Sequence, residues 1–214
     1  SRLSRGLGDV YKRQIQIFFS KWSIPYLFNF ILLIHLIGFL SFKMGLVDIN
    51  RVILTKEGIL NLEFWRLISF LMIPSDTSFI YLFMFYVFYM IGNSLQEHYG
   101  EEKFNGFILL TYILTVLSSL ISPFPTPNWY IFATIFLAFS TLFSHVQFYL
   151  FFVIPVKVKW LGWIKFSYMT LMLFSFHRWA VIASFLVYII YFGNFIFDKV
   201  NQIKRKNNFD NRLK

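Results

Sequence analysis

Few side chains in this sequence are equipped for chemistry, and the four histidines are the first to weigh. His35, His98, His145 and His177 stand far apart, with no partner at i, i+4 and no HExxH pattern. No zinc-protease motif and no metal-ligand set is therefore present in the sequence. Cysteine is absent, which removes disulfides, thiolate nucleophiles and thiolate metal sites together. No glycine-rich phosphate loop occurs, and no cofactor is implied. Glu63, Trp65 and Arg66 form a closer constellation. Glu63 precedes Arg66 by three residues, a helix-neighbour spacing that allows a local ion pair. A guanidinium can tie several loop carbonyls together where water is scarce, and an indole sits well at headgroup depth. A belt tryptophan beside a snorkelling arginine is the competing reading of the same residues.

The elements that must position these residues are apolar. The chain has 214 residues, 57% hydrophobic and 14% charged, with mean hydropathy +0.61, whereas an average soluble chain is about a quarter charged. That is the composition of a protein dissolved in lipid, with the bilayer as its first partner. The 30 Phe supply ample apolar surface to offset the entropy of ordering, which excludes a disordered chain. The net charge of +10 comes mostly from residues at the ends of apolar segments, where it reads as topology and not as a nucleic-acid footprint.

Residues 1–14 are polar and basic, lead into no signal-type apolar region, and read as an artefactual or truncated start. Residues 15–198 form the expected transmembrane domain, with spans at 24–42, 79–95, 104–121, 129–143, 161–176 and 179–197. Between the first two, 43–78 is too charged for a span and reads as interfacial or re-entrant helices. The three prolines in 122–128 mark a firm loop, and 148–156 is a short apolar approach to the fifth span. Lys165 lies close enough to that span's end to snorkel. His35 lies within the first span, where an ionisable group is a functional candidate by default, or else a neutral imidazole bonded to a neighbouring helix. His98 and His145 fall at helix ends, where partial positive charge suits the dipole. Gly92 permits close helix approach and Gly100 suits a helix C-cap. Pro155, Lys157, Lys159 and Trp160 read as a cytoplasmic anchor on anionic headgroups, and 199–214 is a basic cytoplasmic tail. Six spans put both termini on one side. That side carries eleven Lys and Arg against five on the other, counting from Lys21 onward, so both termini are predicted to be cytoplasmic.

The order of these elements, with FWRLISFLMIP (64–74), IGNSLQEHYGEEKFN (91–105) and FYLFFVIPVKVKWLGW (148–163), resembles the rhomboid superfamily over roughly residues 22–197. The resemblance is especially to its bacterial rhomboid-like members and the related derlins. The resemblance implies an all-α, six-helix bundle with an interfacial first-loop hairpin, in a bacterial inner membrane. An active member uses a GxSG serine at the start of the fourth helix, a sixth-helix histidine base and second-helix HxxxN groups that hold the oxyanion. In register, the HxxxN positions fall near Ile80 and Met84, and GxSG falls around Asn128 and Trp129. Neither place holds the required residues. His177 is the one remaining catalytic candidate, because Ala180 and Ser184 follow it at the family's small-residue spacing. The expectation is a non-catalytic pseudoprotease that binds transmembrane segments of client proteins. The alternative is an intramembrane serine endopeptidase with a displaced dyad, His177 with a serine such as Ser122.

Overall fold

Helices dominate the computed structural model, which describes residues 14, 17, 18, 21, 24–150 and 154–193. Segments 1–14 and 199–214 lie outside these residues, Gln14 excepted. Six longer helices occupy the apolar stretches: α1 (Leu27–Lys43), α5 (Tyr81–Tyr99), α6 (Glu101–Ile121), α7 (Trp129–Leu142), α8 (Val158–Met172) and α9 (Arg178–Gly193). Three short ones, α2 (Ile49–Val52), α3 (Lys56–Leu60) and α4 (Arg66–Ser69), followed by a 3-10 turn Phe70–Met72, fill the first loop.

Local chemistry explains the breaks. Gly45, at φ 69°, ends α1. Asp48 caps α2 by accepting from the Asn50 amide at 3.0 Å, and Thr55 caps α3 by accepting from the Gly58 amide at 3.1 Å. Gly100 alone separates α5 from α6, with φ 80° and ψ 150°, a conformation that an L side chain resists. Glu101 and Glu102 follow in the first turn of α6, where negative charge suits the helix dipole. Glu101 also accepts from the Tyr26 amide at 3.1 Å, and the Asn105 side chain donates to Ile24 O at 2.6 Å. Together they fasten the start of α1 to the start of α6.

α7 is the central helix. Ten of its fourteen residues are buried, from Tyr130 to Ser140 with Phe136 half-buried, so it is enclosed on nearly all sides, as an all-round apolar helix must be. α5, α6 and α8 pack against it, and Tyr188 of α9 meets Thr141 through their hydroxyls at 2.5 Å. α6 is the one helix among the described residues that is both long and apolar enough to cross a membrane by itself. Its polar side chains do not disturb it. Thr111 donates to Phe107 O at 2.7 Å and Thr115 to Thr111 O at 2.8 Å, within the helix itself.

Several boundaries differ from the sequence reading: α5 runs to Tyr99, past the expected end at 95, and the largest departures lie between α7 and α9. The apolar approach at 148–156 is part of an antiparallel hairpin, β1 (Gln147–Leu150) with β2 (Ile154–Lys157), in register Gln147 with Lys157 and Tyr149 with Pro155. Its backbone groups need partners at a helix-poor place, and pairing supplies them. α8 then begins at Val158, whose amide donates to Val146 O at 2.8 Å, and ends at Met172 instead of Phe176. Lys165 consequently sits midway along α8, not near its end.

Close backbone approaches hold the bundle. A Cβ at Gly38 would lie 2.0 Å from Met72 O, so α1 and the 3-10 turn touch through bare backbone. At Gly162 a Cβ would lie 2.4 Å from Ser140 Oγ, on the seam of α8 with α7. Gly38→Ala is expected to lower stability by about 1–3 kcal/mol, the range for overpacking. Gly45→Ala, which meets nothing within 4 Å, pays only its backbone strain. Thermal unfolding in detergent compares the two, and equal melting temperatures would contradict the contact.

Candidate functional site

Two polar assemblies stand out against the apolar bundle. The first is built in the loop from α2 to α4. Arg66 Nη1 donates to Asn50 O at 2.7 Å and Ile53 O at 2.8 Å, while its Nε faces Glu63 Oε2. One planar fork thus meets a carboxylate and two carbonyls at the C-terminal end of α2, groups that have no helical partner of their own. Trp65 Nε1 donates to Arg51 O at 3.2 Å and Ser69 Oγ to Val52 O at 3.2 Å. The four consecutive carbonyls from Asn50 to Ile53 are therefore each met by a side chain of 65–69. Gly58 is part of this arrangement, because a Cβ there would lie 2.5 Å from Arg66 Cδ. The loop is fastened to the bundle at two points. Tyr112 of α6 donates to Leu67 O at 2.8 Å, and the Thr126 amide in the proline loop donates to Leu54 O at 2.8 Å.

The second assembly lies inside the bundle. His35 of α1 and Asn128 at the start of α7 are 4% and 2% exposed, and both reach the backbone just after the loop. His35 Nδ1 lies 2.7 Å from Leu71 O, which can only accept, so Nδ1 carries the proton. His35 Nε2 then accepts from the Tyr81 hydroxyl of α5 at 2.9 Å. Asn128 Nδ2 donates to Leu71 O and Ile73 O, each at 3.0 Å. The rings of Phe85 and Phe132 close around the imidazole at centroid distances of 5.3 and 4.8 Å. Three helices and the loop end meet at this junction, with every group named here paired. A cluster so satisfied is suited to fixing geometry, not to moving protons.

The positions where hydrolytic machinery would be needed present no serine–histidine pair. Ser122 is buried, its hydroxyl engaged with the backbone of Phe124, donating to O at 3.0 Å and accepting from N at 3.1 Å. His177 lies in the turn before α9, and its amide donates to Ser175 Oγ at 3.2 Å. Its ring faces Tyr130 at 6.0 Å, and burial holds the imidazole below its ordinary value, hence neutral. Among the described residues no hydrogen bond joins His177 to Ser122. Ile80 and Met84, on the α5 register, are exposed apolar side chains, and no group of three His, Cys, Asp or Glu converges among the described residues.

The remaining residues of interest are dispersed. Gly92 packs under the Phe28 ring, whose Cε1 would lie 2.1 Å from an added Cβ, at the seam of α5 with α1. Gly100 forms the α5–α6 turn described above. Pro155 and Lys157 are on β2, exposed, and Lys159 stands over the Trp160 ring at 5.8 Å at the start of α8. Sequence reasoning missed Tyr81, Asn128 and Gly58. Asn128 carried a weak signal, a polar residue immediately before an apolar helix; Tyr81 carried none. Comparison of the chain with protein-family models, curated proteins and solved structures finds no match.

The first-loop clamp generates a direct test. Arg66→Lys keeps the charge and loses the fork, so it is expected to cost about 1.5–3 kcal/mol, the range for hydrogen bonds to charged groups. Amide exchange across 49–60 should accelerate while that of α6 is unchanged. Unaltered exchange in the loop would show that the carbonyl contacts do not hold it.

Proposed function

We propose that this chain is a rhomboid-like integral membrane protein without proteolytic activity, which binds transmembrane segments of client proteins. In this reading all six longer helices cross the bilayer, both termini are cytoplasmic, and the membrane is a bacterial plasma membrane. The observation that carries it is the arrangement at the start of α7. Asn128 spends its amide on Leu71 O and Ile73 O, Trp129 follows it, and the neutral His177 faces a tyrosine ring instead of a hydroxyl nucleophile. Acyl transfer requires a base within hydrogen-bond reach of its nucleophile and donors aimed at the oxyanion, and this place offers neither.

A binding role draws support from the surface and the helix lengths. α1, α5, α8 and α9 all expose large apolar side chains, among them Leu33, Ile37, Phe83, Tyr86, Trp163, Ile164, Leu186 and Ile189. Faces of this kind need lipid or another apolar helix against them. α7 has 14 residues and α8 has 15, lengths of about 21–22 Å at 1.5 Å per residue, shorter than a ~30 Å hydrocarbon layer. Bundles built on short helices thin the bilayer around them. A thinned zone lowers the cost of bringing in a client helix with polar residues.

Purified full-length protein in detergent is expected to leave a fluorophosphonate probe unreacted and a transmembrane reporter peptide uncleaved. Trp129→Ser should be equally inert, because a hydroxyl alone brings no oxyanion donors, and loss of one donor costs on the order of 10²-fold. Reproducible labelling or cleavage abolished by His177→Ala would overturn the proposal.

A further inference from the structure

The half-buried Lys165 lies midway along α8, about 10 Å from either helix end at 1.5 Å per residue. Its Nζ stands over the Trp129 ring at 4.7 Å and the Tyr168 ring at 5.8 Å, and the two rings lie 5.9 Å apart. Ring faces attract a cation but give its three N–H groups no lone pair to bond. Among the described residues no hydrogen bond or ion pair reaches this ammonium. Nor does the nearby sequence hold a counterion in reserve, since from Lys103 through Phe197 there is no Asp or Glu. The part of the chain that builds α7, α8 and α9 is therefore cationic, with its one mid-helix charge uncompensated among the described residues.

A charge at this depth is costly unless paired. The flank of α8 beside it is apolar and open, with Tyr168, Ile164 and Leu171 at 45%, 66% and 67% exposure. A lipid phosphate stays at the headgroup layer, whereas a carboxylate carried on a helix is delivered to mid-depth by that helix. We propose that Lys165, framed by Trp129 and Tyr168, is the recognition point for an Asp or Glu within a partner transmembrane helix lying along α8. This rests on the reading of the chain as a binder of transmembrane segments and names the class of segment selected. The aromatic frame holds the ammonium in place before binding, so little side-chain entropy is lost when the carboxylate arrives.

The test uses the full chain in neutral phosphatidylcholine nanodiscs, titrated with donor-labelled oligoleucine transmembrane peptides carrying a central Glu, Gln or Leu and read by energy transfer. The Glu peptide is expected to bind at least about tenfold tighter than the other two. Lys165→Arg should keep the preference, and Lys165→Met should abolish it without weakening the Leu peptide. Should Lys165→Met fail to fold, the three-peptide comparison on wild type and Lys165→Arg still decides. Equal binding of all three peptides to wild type, or a preference that survives in Lys165→Met, would overturn this inference alone. A preference lost in phosphatidylglycerol-rich nanodiscs would assign the lysine to lipid phosphate instead. Binding of no peptide would overturn the parent reading as well.

Discussion

The carbonyls of Leu71 and Ile73 emerge from the last turn of the first loop into the buried interior of the bundle. A buried carbonyl without a donor costs about 1–3 kcal/mol, and this requirement organises the molecule. His35 reaches Leu71 O from α1, and Asn128 reaches both carbonyls from the start of α7. Tyr81 on α5 then supplies the hydrogen that His35 Nε2 needs. The neighbouring contact explains why the loop end can come so deep, since Gly38 lets the Met72 backbone rest directly on α1. The first loop is thus part of the bundle, and the Arg66 clamp is the means by which it keeps its shape at the other end.

This arrangement bears on function through what it uses up. Asn128, at the mouth of α7, is the polar residue best placed to act on a ligand there, and its donors are committed to the loop. Its neighbours Trp129 and Tyr130 present rings, one of which faces Lys165 and the other His177. That end of α7 is packed with aromatic surface, the Trp129 and Tyr130 rings meeting each other, Tyr168 and His177.

The six longer helices were legible in the sequence because each is built on a largely apolar run between charged, polar or proline-rich breaks, with Lys165 the charge inside α8. Their packing order was not, because the apolar residues that enclose α7 resemble those that α8 and α5 expose. The hairpin at 147–157 was hidden for a related reason: an apolar run flanked by a Lys-rich segment has no alternation to mark strands. In the loop, Glu63, Trp65 and Arg66 stand out by residue type and spacing. Their acceptors are main-chain carbonyls, which leave no trace in a sequence. The interior junction is the least legible part, since His35, Tyr81 and Asn128 are separated by 46 and 47 residues and form no motif. Only the folded chain brings them to one pair of carbonyls.

The interior carbonyls fix the state of His35, and nitrogen NMR reads that state directly. In full-length protein labelled with ¹⁵N-histidine, with His35→Phe used for assignment, a single neutral tautomer is expected, protonated at Nδ1, with Nε2 unprotonated and accepting. A His35 protonated at Nε2, or one averaging rapidly between tautomers, would contradict it. In that case neither the Leu71 O nor the Tyr81 hydroxyl contact would hold the imidazole.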